Sequence, residues 1–381
     1  MKFLTVCERG EGLPIAMQLA KEGHSSKLMC TDGSSVGKGI VETLEFHPKL
    51  YGRPPLLSTV QQISRSAPKD TILIFTQARY GVCEDVLRGK GYLSIGASPF
   101  HASLLDEAYA QSVNRMCEIE TTPQNMQSVY ALEGWFNGEE FLYPIFGLFP
   151  EYGFMAGDLG PAIECAGVTG FAFKNFPFKA FSETLGKLTP VLRKMDFRGP
   201  VSADICGDAV LRYVPGMRMD FFYLFMQLLE QPLGKLFADL VRGMVKMIRT
   251  NFSYGVCVRA TMPPFPHQKA EPSGLAIGQD RDLDSGMIPT GLQQMGKDLV
   301  IASFSGDAFC TCAIGSSVKE AQAALYQRTA HFVVPNLQFR IDIGALALRN
   351  IHFLLQREGE KGNGGKRGVA RGEPQTGEEK S

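Results

Sequence analysis

The chain opens on alternating strand and helix patterns. Residues 2–7, KFLTVC, are apolar and partly β-branched and predict a buried strand. The glycine turn ERGEGLP follows, and IAMQLAKEG carries apolar residues at helical spacing up to a stop at Gly23. SKLMCTDG predicts a second strand, DTILIFTQ (70–77) a fully buried one, VCEDVLRGKG a helix and YLSIGAS another strand. Strand–turn–helix–strand is a βαβ unit, so residues 1–105 are expected to form a Rossmann-like parallel α/β domain.

Beyond residue 105 the pattern changes. VYALEGWFNGEEFLYPIFGLFP has two apolar runs around Asn137-Gly138, a tight-turn pair, and predicts antiparallel strands. A glycine-rich loop is expected at 157–170, an amphipathic helix over FKAFSETLGKLTPVLRKM, and a hairpin in GPVSADICGDAVLRYVP turned at Gly207-Asp208. DFFYLFMQLLEQPLGKLFADLVRGMVKMI is strongly apolar, but Pro232 and recurring charges make it two helices rather than one membrane span. DLVIASFSGDAFCTCAIG predicts strands around Gly306-Asp307, and SVKEAQAALYQRTAHF a helix. The expected parts are thus a core over 106–255, a C-terminal antiparallel sheet domain over 256–356, and a disordered tail over 357–381, too poor in apolar residues to fold.

The 39 basic and 39 acidic residues balance, which gives no electrostatic case for nucleic acid or an anionic membrane. The start, MKFLTVCERGEG, is too short in apolar residues for a signal peptide or span. Nine scattered cysteines, with only Cys310 and Cys312 close, read as free thiols of a reducing compartment. The six histidines show no metal-ligand spacing. The Gly33–Gly37-Lys38-Gly39 segment is too short for a Walker loop. The aromatic run from Phe171 to Phe181 fits core packing.

Several segments, in this order, resemble the phosphoribosylamine–glycine ligase family of the ATP-grasp superfamily. VCERGEGLPIAMQLA has the family's strand and glycine loop, without its Arg-Glu-His. LEGWFNGEEF resembles its strand turn, and GDLGPAIECAG its substrate loop, through Gly157, Asp158, Gly160, Pro161 and Gly167. GSSVKEAQAALYQRTAHFVVPNLQFRIDIG resembles its C-terminal signature, through Tyr326, Arg340, Asp342, Ile343 and Gly344. The resemblance implies ATP and magnesium as cofactors, a small phosphorylated sugar or nucleotide as ligand, and a cytoplasmic monomer. It also implies carboxylate–amine ligation in purine nucleotide synthesis.

The chain departs from that family where ATP and metal are held. Only PQNMQSVY stands between Thr122 and Ala131, where the family has the lysine-bearing loop that covers ATP, so a truncated ATP-grasp core is expected. In VLRYVPGMRMD, Arg212 stands at the family's glutamate ligand and Val214 at its asparagine. A guanidinium and a valine cannot replace two magnesium oxygens, so Mg-ATP is expected to bind weakly or not at all.

The candidate binding residues are Gly10, Gly12, Gly157, Asp158, Gly160, Pro161, Arg340 and Asp342. Gly10 and Gly12 either expose backbone N–H groups to a phosphate at a helix start or simply make a βα turn. Asp158 either meets an amine or hydroxyl or caps its own loop. Arg340 and Asp342 either bind substrate or pair with each other. Two functions stay open: a divergent ligase with a reduced site, and a non-catalytic protein that binds a phosphoribosyl compound or nucleotide.

Overall fold

The computed structural model describes residues 1–46, 55–104, 106–122, 129–176, 178–207, 209–214, 216–267, 273–278 and 286–359. The first apolar runs become β1 (Lys2–Cys7), α1 (Leu13–Lys21), β2 (Ser25–Cys30), β3 (Glu42–Thr43), α2 (Pro55–Ser66), β4 (Thr71–Phe75), α3 (Gly81–Gly89) and β5 (Leu93–Ile95). The strands pair in parallel in the order β3-β2-β1-β4-β5. Every residue of β4 is buried, as an unbroken TILIF run requires when both faces are covered. The strand order reverses between β1 and β4. The carboxyl ends of these two strands therefore open a crevice at a topological switch point.

The helices α4 (Pro99–Ser103) and α5 (Glu107–Met116) lead out of this sheet. The Asp106 carboxylate accepts from the Tyr109 N–H and caps α5. Residues 117–128 join α5 to the next strand. Of these, 123–128 lie outside the described residues, and with them most of the segment in which the ATP-covering loop is expected to be missing.

The rest of the chain supplies β6 (Val129–Asn137), β7 (Phe146–Met155), β8 (Leu159–Ala172), α6 (Lys179–Ser182), α7 (Thr189–Lys194), β9 (Arg198–Cys206) and β10 (Ala209–Val214). Then come α8 (Met219–Leu228), α9 (Leu233–Leu240), β11 (Tyr254–Thr261), β12 (Met287–Pro289), β13 (Leu292–Met295), β14 (Asp298–Ile301), β15 (Asp307–Gly315), α10 (Val318–Thr329), β16 (Gln338–Phe339) and α11 (Ala345–Gly359). Strands from both sides of residue 255 share one antiparallel sheet, β10-β9-β6-β7-β8-β11-β15-β12, with β16 on β11, because β8 pairs with β11.

Asn137 turns the chain as its sequence suggests. Its side-chain oxygen accepts from the N–H groups of Glu139 and Glu140. Three local expectations are corrected. Residues 159–170 are strand, not loop; Gly167 and Gly170 are there because a Cβ would meet the Cys257 carbonyl at 2.6 Å and the Phe221 ring at 3.0 Å. The helix expected over 178–195 is broken into short turns, with Gly186 and Pro190 inside it. The strands flanking Gly306-Asp307 do not pair: β14 pairs with β13, and β15 with β11 and β12. Asp208 of the expected Gly207-Asp208 turn and residues 360–381 of the tail lie outside the described residues, whereas 357–359 end α11.

The two sheets meet through α8 and α9, separated at Pro232. Phe221, Phe222, Phe225, Leu236 and Phe237 join one buried cluster with Phe3, Ile15 and Ile74 of the parallel half and Trp135 and Phe146 of the antiparallel half. Trp135 stacks on Phe225 with ring centroids 5.0 Å apart. The Glu22 carboxylate, just past α1, accepts from the N–H groups of Leu233 and Gly234, both at 2.8 Å, and so caps α9 from the other half. Among the described residues no helix is long and apolar enough to cross a membrane.

Glu133 of β6 sits inside this layer. It accepts from the Trp135 indole N–H at 3.1 Å, its second oxygen has no hydrogen-bond partner, and burial pushes its carboxyl up to about 8. An acid raised in the folded state stays neutral there while the unfolded chain ionises. Its contribution to stability is therefore greatest below the ordinary carboxylate range and falls as pH rises toward 8. Glu133→Gln is expected to flatten the loss of stability between pH 5 and 8, by on the order of 3 kcal/mol at the alkaline end. Urea denaturation of both proteins across that range checks it, and equal slopes would contradict it.

A candidate anion-binding cavity at the switch point

Where the β1 and β4 ends face the antiparallel sheet, the structure has a cavity of about 460 Å³. Residues following β1 and β4 form one wall, and β8, the end of β10, the start of α8, β11 and β15 form the others. Five arginines line it, Arg9, Arg79, Arg212, Arg218 and Arg259, and no lysine is among its described lining residues. Sequence reasoning flagged only Arg212 of these. A charge inside the apolar strand VCVRAT was the available signal for Arg259.

Glu11 organises the β1 and β4 ends. Its carboxylate accepts from the N–H groups of Glu8 (3.0 Å) and Arg9 (2.8 Å), from the Thr76 hydroxyl (2.8 Å) and from the Gln77 amide (2.8 Å). Two backbone donors of the turn before α1 thus already hold an anion of the chain itself.

Gly10 and Gly12 support this loop rather than lining the cavity. Gly10 has φ +104°, and a Cβ there would stand 2.4 Å from the Thr290 carbonyl oxygen and 2.4 Å from Val36. At Gly12 a Cβ would meet Thr5 at 2.6 Å. Gly10→Ala is therefore expected to lower stability by on the order of 2 kcal/mol. A shift in the urea midpoint measures it, and an unchanged midpoint would contradict the packing role.

At the β9–β10 edge, Asp204 is 4% exposed. Its Oδ1 accepts from Arg218 Nη2 at 2.7 Å, and its Oδ2 from Arg212 Nε at 2.7 Å and the Tyr152 hydroxyl at 2.6 Å. Burial alone would raise this carboxyl, but the Arg218 charge, with Tyr152 and Arg212, holds it below the ordinary range. Burial pushes the Tyr152 phenol up, so it stays protonated and donates. Arg212 lies over the Tyr152 ring at 4.6 Å. Held by its Nε bond to Asp204 and by Tyr152, the Arg212 side chain stands 56% exposed on the cavity wall. Magnesium requires several free oxygen ligands in octahedral array. Here both oxygens of Asp204 are taken, a fixed cation stands beside them, and Val214 offers no donor, so this edge does not fit the ion.

The other sequence candidates gather elsewhere. Arg340, 1% exposed at its side chain, donates to Asp342 Oδ1 (2.6 Å), Asp158 Oδ1 (2.6 Å), Glu151 Oε2 (2.7 Å) and the Gly153 carbonyl (3.0 Å). Asp342 also accepts from the Gly157 N–H at 2.8 Å. Gly157 and Asp158 take positive φ angles of +72° and +58°, as does Gly160 at +78°. Pro161 follows in β8. The structure thus joins Arg340, Asp342, Gly157 and Asp158. It does not bring them to the cavity wall formed by Arg9 and Glu11.

No family model matches the sequence, and no curated protein does. Solved structures do. The chain is similar to phosphoribosylamine–glycine ligase from Thermotoga maritima, at 14% identity and a TM-score of 0.63, covering 90% of this chain and 100% of that one. It is also similar to pyruvate carboxylase from Rhizobium etli bound to its allosteric activator acetyl coenzyme A, at 11% identity and a TM-score of 0.61, covering 89% of this chain and 36% of that one. A complete pyruvate carboxylase from the same organism matches at 10% identity and a TM-score of 0.58 over 33% of its length. The chain therefore spans about a third of the pyruvate carboxylases and the full length of the ligase. At such identities the likeness establishes the fold alone, a mixed α/β architecture shared with these enzymes.

Proposed function

We propose that this chain is a non-catalytic relative of the ATP-grasp ligases that holds a small phosphorylated sugar or nucleotide in the switch-point cavity, without magnesium. The observation that carries this is Arg212. Buttressed by Asp204 and Tyr152, it presents a permanent, half-exposed cation where the family resemblance expects a metal carboxylate. A guanidinium in fixed orientation recognises phosphate by charge-assisted hydrogen bonds. The ligand class follows from the family resemblance and from the arginines on the cavity wall. The Gly10–Gly12 turn serves by positioning Arg9 and Glu11.

Ligation is the second reading, favoured by the full-length match to the Thermotoga ligase. It requires ATP positioning and charge neutralisation, which carry phosphoryl transfer. A thermal-shift screen with ribose 5-phosphate, phosphoribosyl pyrophosphate, glycinamide ribonucleotide and purine nucleotides separates the two. Stabilisation by one of these in EDTA supports the binding reading. Release of ADP with magnesium, ATP, phosphoribosylamine and glycine would replace it with the ligase reading.

A further inference from the structure

Three of the arginine–carboxylate contacts around the cavity are short: Arg79 meets Glu8 at 2.6 Å, and Arg212 and Arg218 each meet Asp204 at 2.7 Å. Arg259 and Arg9 behave differently. Arg259, only 19% exposed at its side chain, approaches Asp307 Oδ1 at 3.6 Å and Glu164 Oε2 at 3.7 Å. Arg9 approaches Glu164 Oε1 at 3.9 Å and Glu8 at 3.9 Å. All four contacts are too long for hydrogen bonds, and neither guanidinium makes one among the described residues. Asp307 Oδ1 is buried and also lacks a hydrogen-bond partner.

A largely buried guanidinium without hydrogen-bond acceptors is costly. Arg259 of β11 is such a group, and Arg9 of the β1–α1 loop, 39% exposed, joins it: both converge on the carboxylate of Glu164, which is 66% exposed and bonds to neither. We infer that Arg9 and Arg259 form a subsite for a phosphate monoester, and that Glu164 is its internal, displaceable counter-ion. This rests on the reading of the cavity as a phospho-ligand site and places the phosphate within it. The tetrahedral dianion has three terminal oxygens. It can accept from both guanidinia at hydrogen-bond distance, which the carboxylate does not do from β8. With Glu164 swung into solvent, Arg259 keeps Asp307 at 3.6 Å and Arg9 keeps Glu8 at 3.9 Å, a carboxylate already bonded to Arg79, while Glu11 and Asp220 also line the cavity.

The test uses the full chain and five variants, with circular dichroism to confirm folding. Glu164→Gln removes the competitor at an exposed position and is expected to tighten binding of inorganic phosphate, and of ribose 5-phosphate, at least 5-fold by calorimetry. Adding Arg9→Gln, which breaks no hydrogen bond, is expected to reverse the gain and weaken both ligands at least 10-fold. Adding Arg259→Lys keeps the charge but loses the fork, and is expected to give an intermediate affinity. Unchanged affinity in Glu164→Gln overturns the subsite. So does a ligand lost in Arg212→Gln but kept in Arg9→Gln, an outcome that leaves the cavity reading standing. If sugar phosphates and nucleotides fail to bind every protein while Glu164→Gln binds inorganic phosphate through Arg9, the subsite stands and the cavity reading falls.

Discussion

Arg340→Ala is expected to cost roughly 3–5 kcal/mol of stability, the usual penalty for removing one partner of a buried ion pair. Arg340 and Glu151 are 1% and 0% exposed at their side chains. The second Glu151 oxygen accepts from the Gly344 N–H at 2.7 Å, so the carboxylate ties β7 to the start of α11. Burial already raises the Glu151 carboxyl, against the pull of the Gly344 N–H and of Arg340. Without Arg340 it rises further. The folded acid then stays protonated to higher pH than the unfolded one, and the penalty grows as pH rises from 5 to 8. Asp158→Asn should behave differently. Asp158 is 52% exposed at its side chain, and asparagine tolerates its φ of +58°, so a loss below about 1 kcal/mol is expected. Urea unfolding of both variants at pH 5 and pH 8 gives the comparison. A loss under 1 kcal/mol for Arg340→Ala would remove the network from the account of the fold.

Arg212→Gln is expected to weaken a phosphorylated ligand by on the order of 10- to 100-fold, the worth of one or two hydrogen bonds to a charged group. The side chain is 56% exposed, so the fold should survive. Asp204 keeps Arg218 and Tyr152 after the change. The loss should be the same with and without magnesium, because no metal mediates the contact. Calorimetric titration of both proteins reads it. A variant that binds as tightly as the parent would place the phosphate away from the β9–β10 edge.

The parallel half was legible in the sequence because its strands are short apolar runs separated by glycine-ended helices. β1 and β4 fall where KFLTVC and DTILIFTQ place them. The Asn137 turn and the break at Pro232 were legible for the same local reason. What the sequence hid was non-local. Glycines at 167 and 170 look like loop residues until β11 and α8 are packed against them. The pairing of β8 with β11, which joins the antiparallel strands into one sheet, leaves no local trace. The cavity is hidden in the same way. Arg9, Arg212 and Arg259 are far apart in the chain, and only the fold shows that they line one space. The Arg340–Asp342 pair was visible as a spacing, but its buried partner Glu151 is 189 residues away.

The most direct test of magnesium-free binding is a calorimetric titration of the intact chain with the most stabilising phosphorylated sugar or nucleotide, once in EDTA and once in excess magnesium, with ATP titrated alongside. The expected result is an equal dissociation constant for that ligand in both buffers and no magnesium-dependent heat from ATP. Micromolar ATP binding that appears only with magnesium would contradict the account, because it would show a working metal seat where Arg212 and Asp204 are bonded to each other.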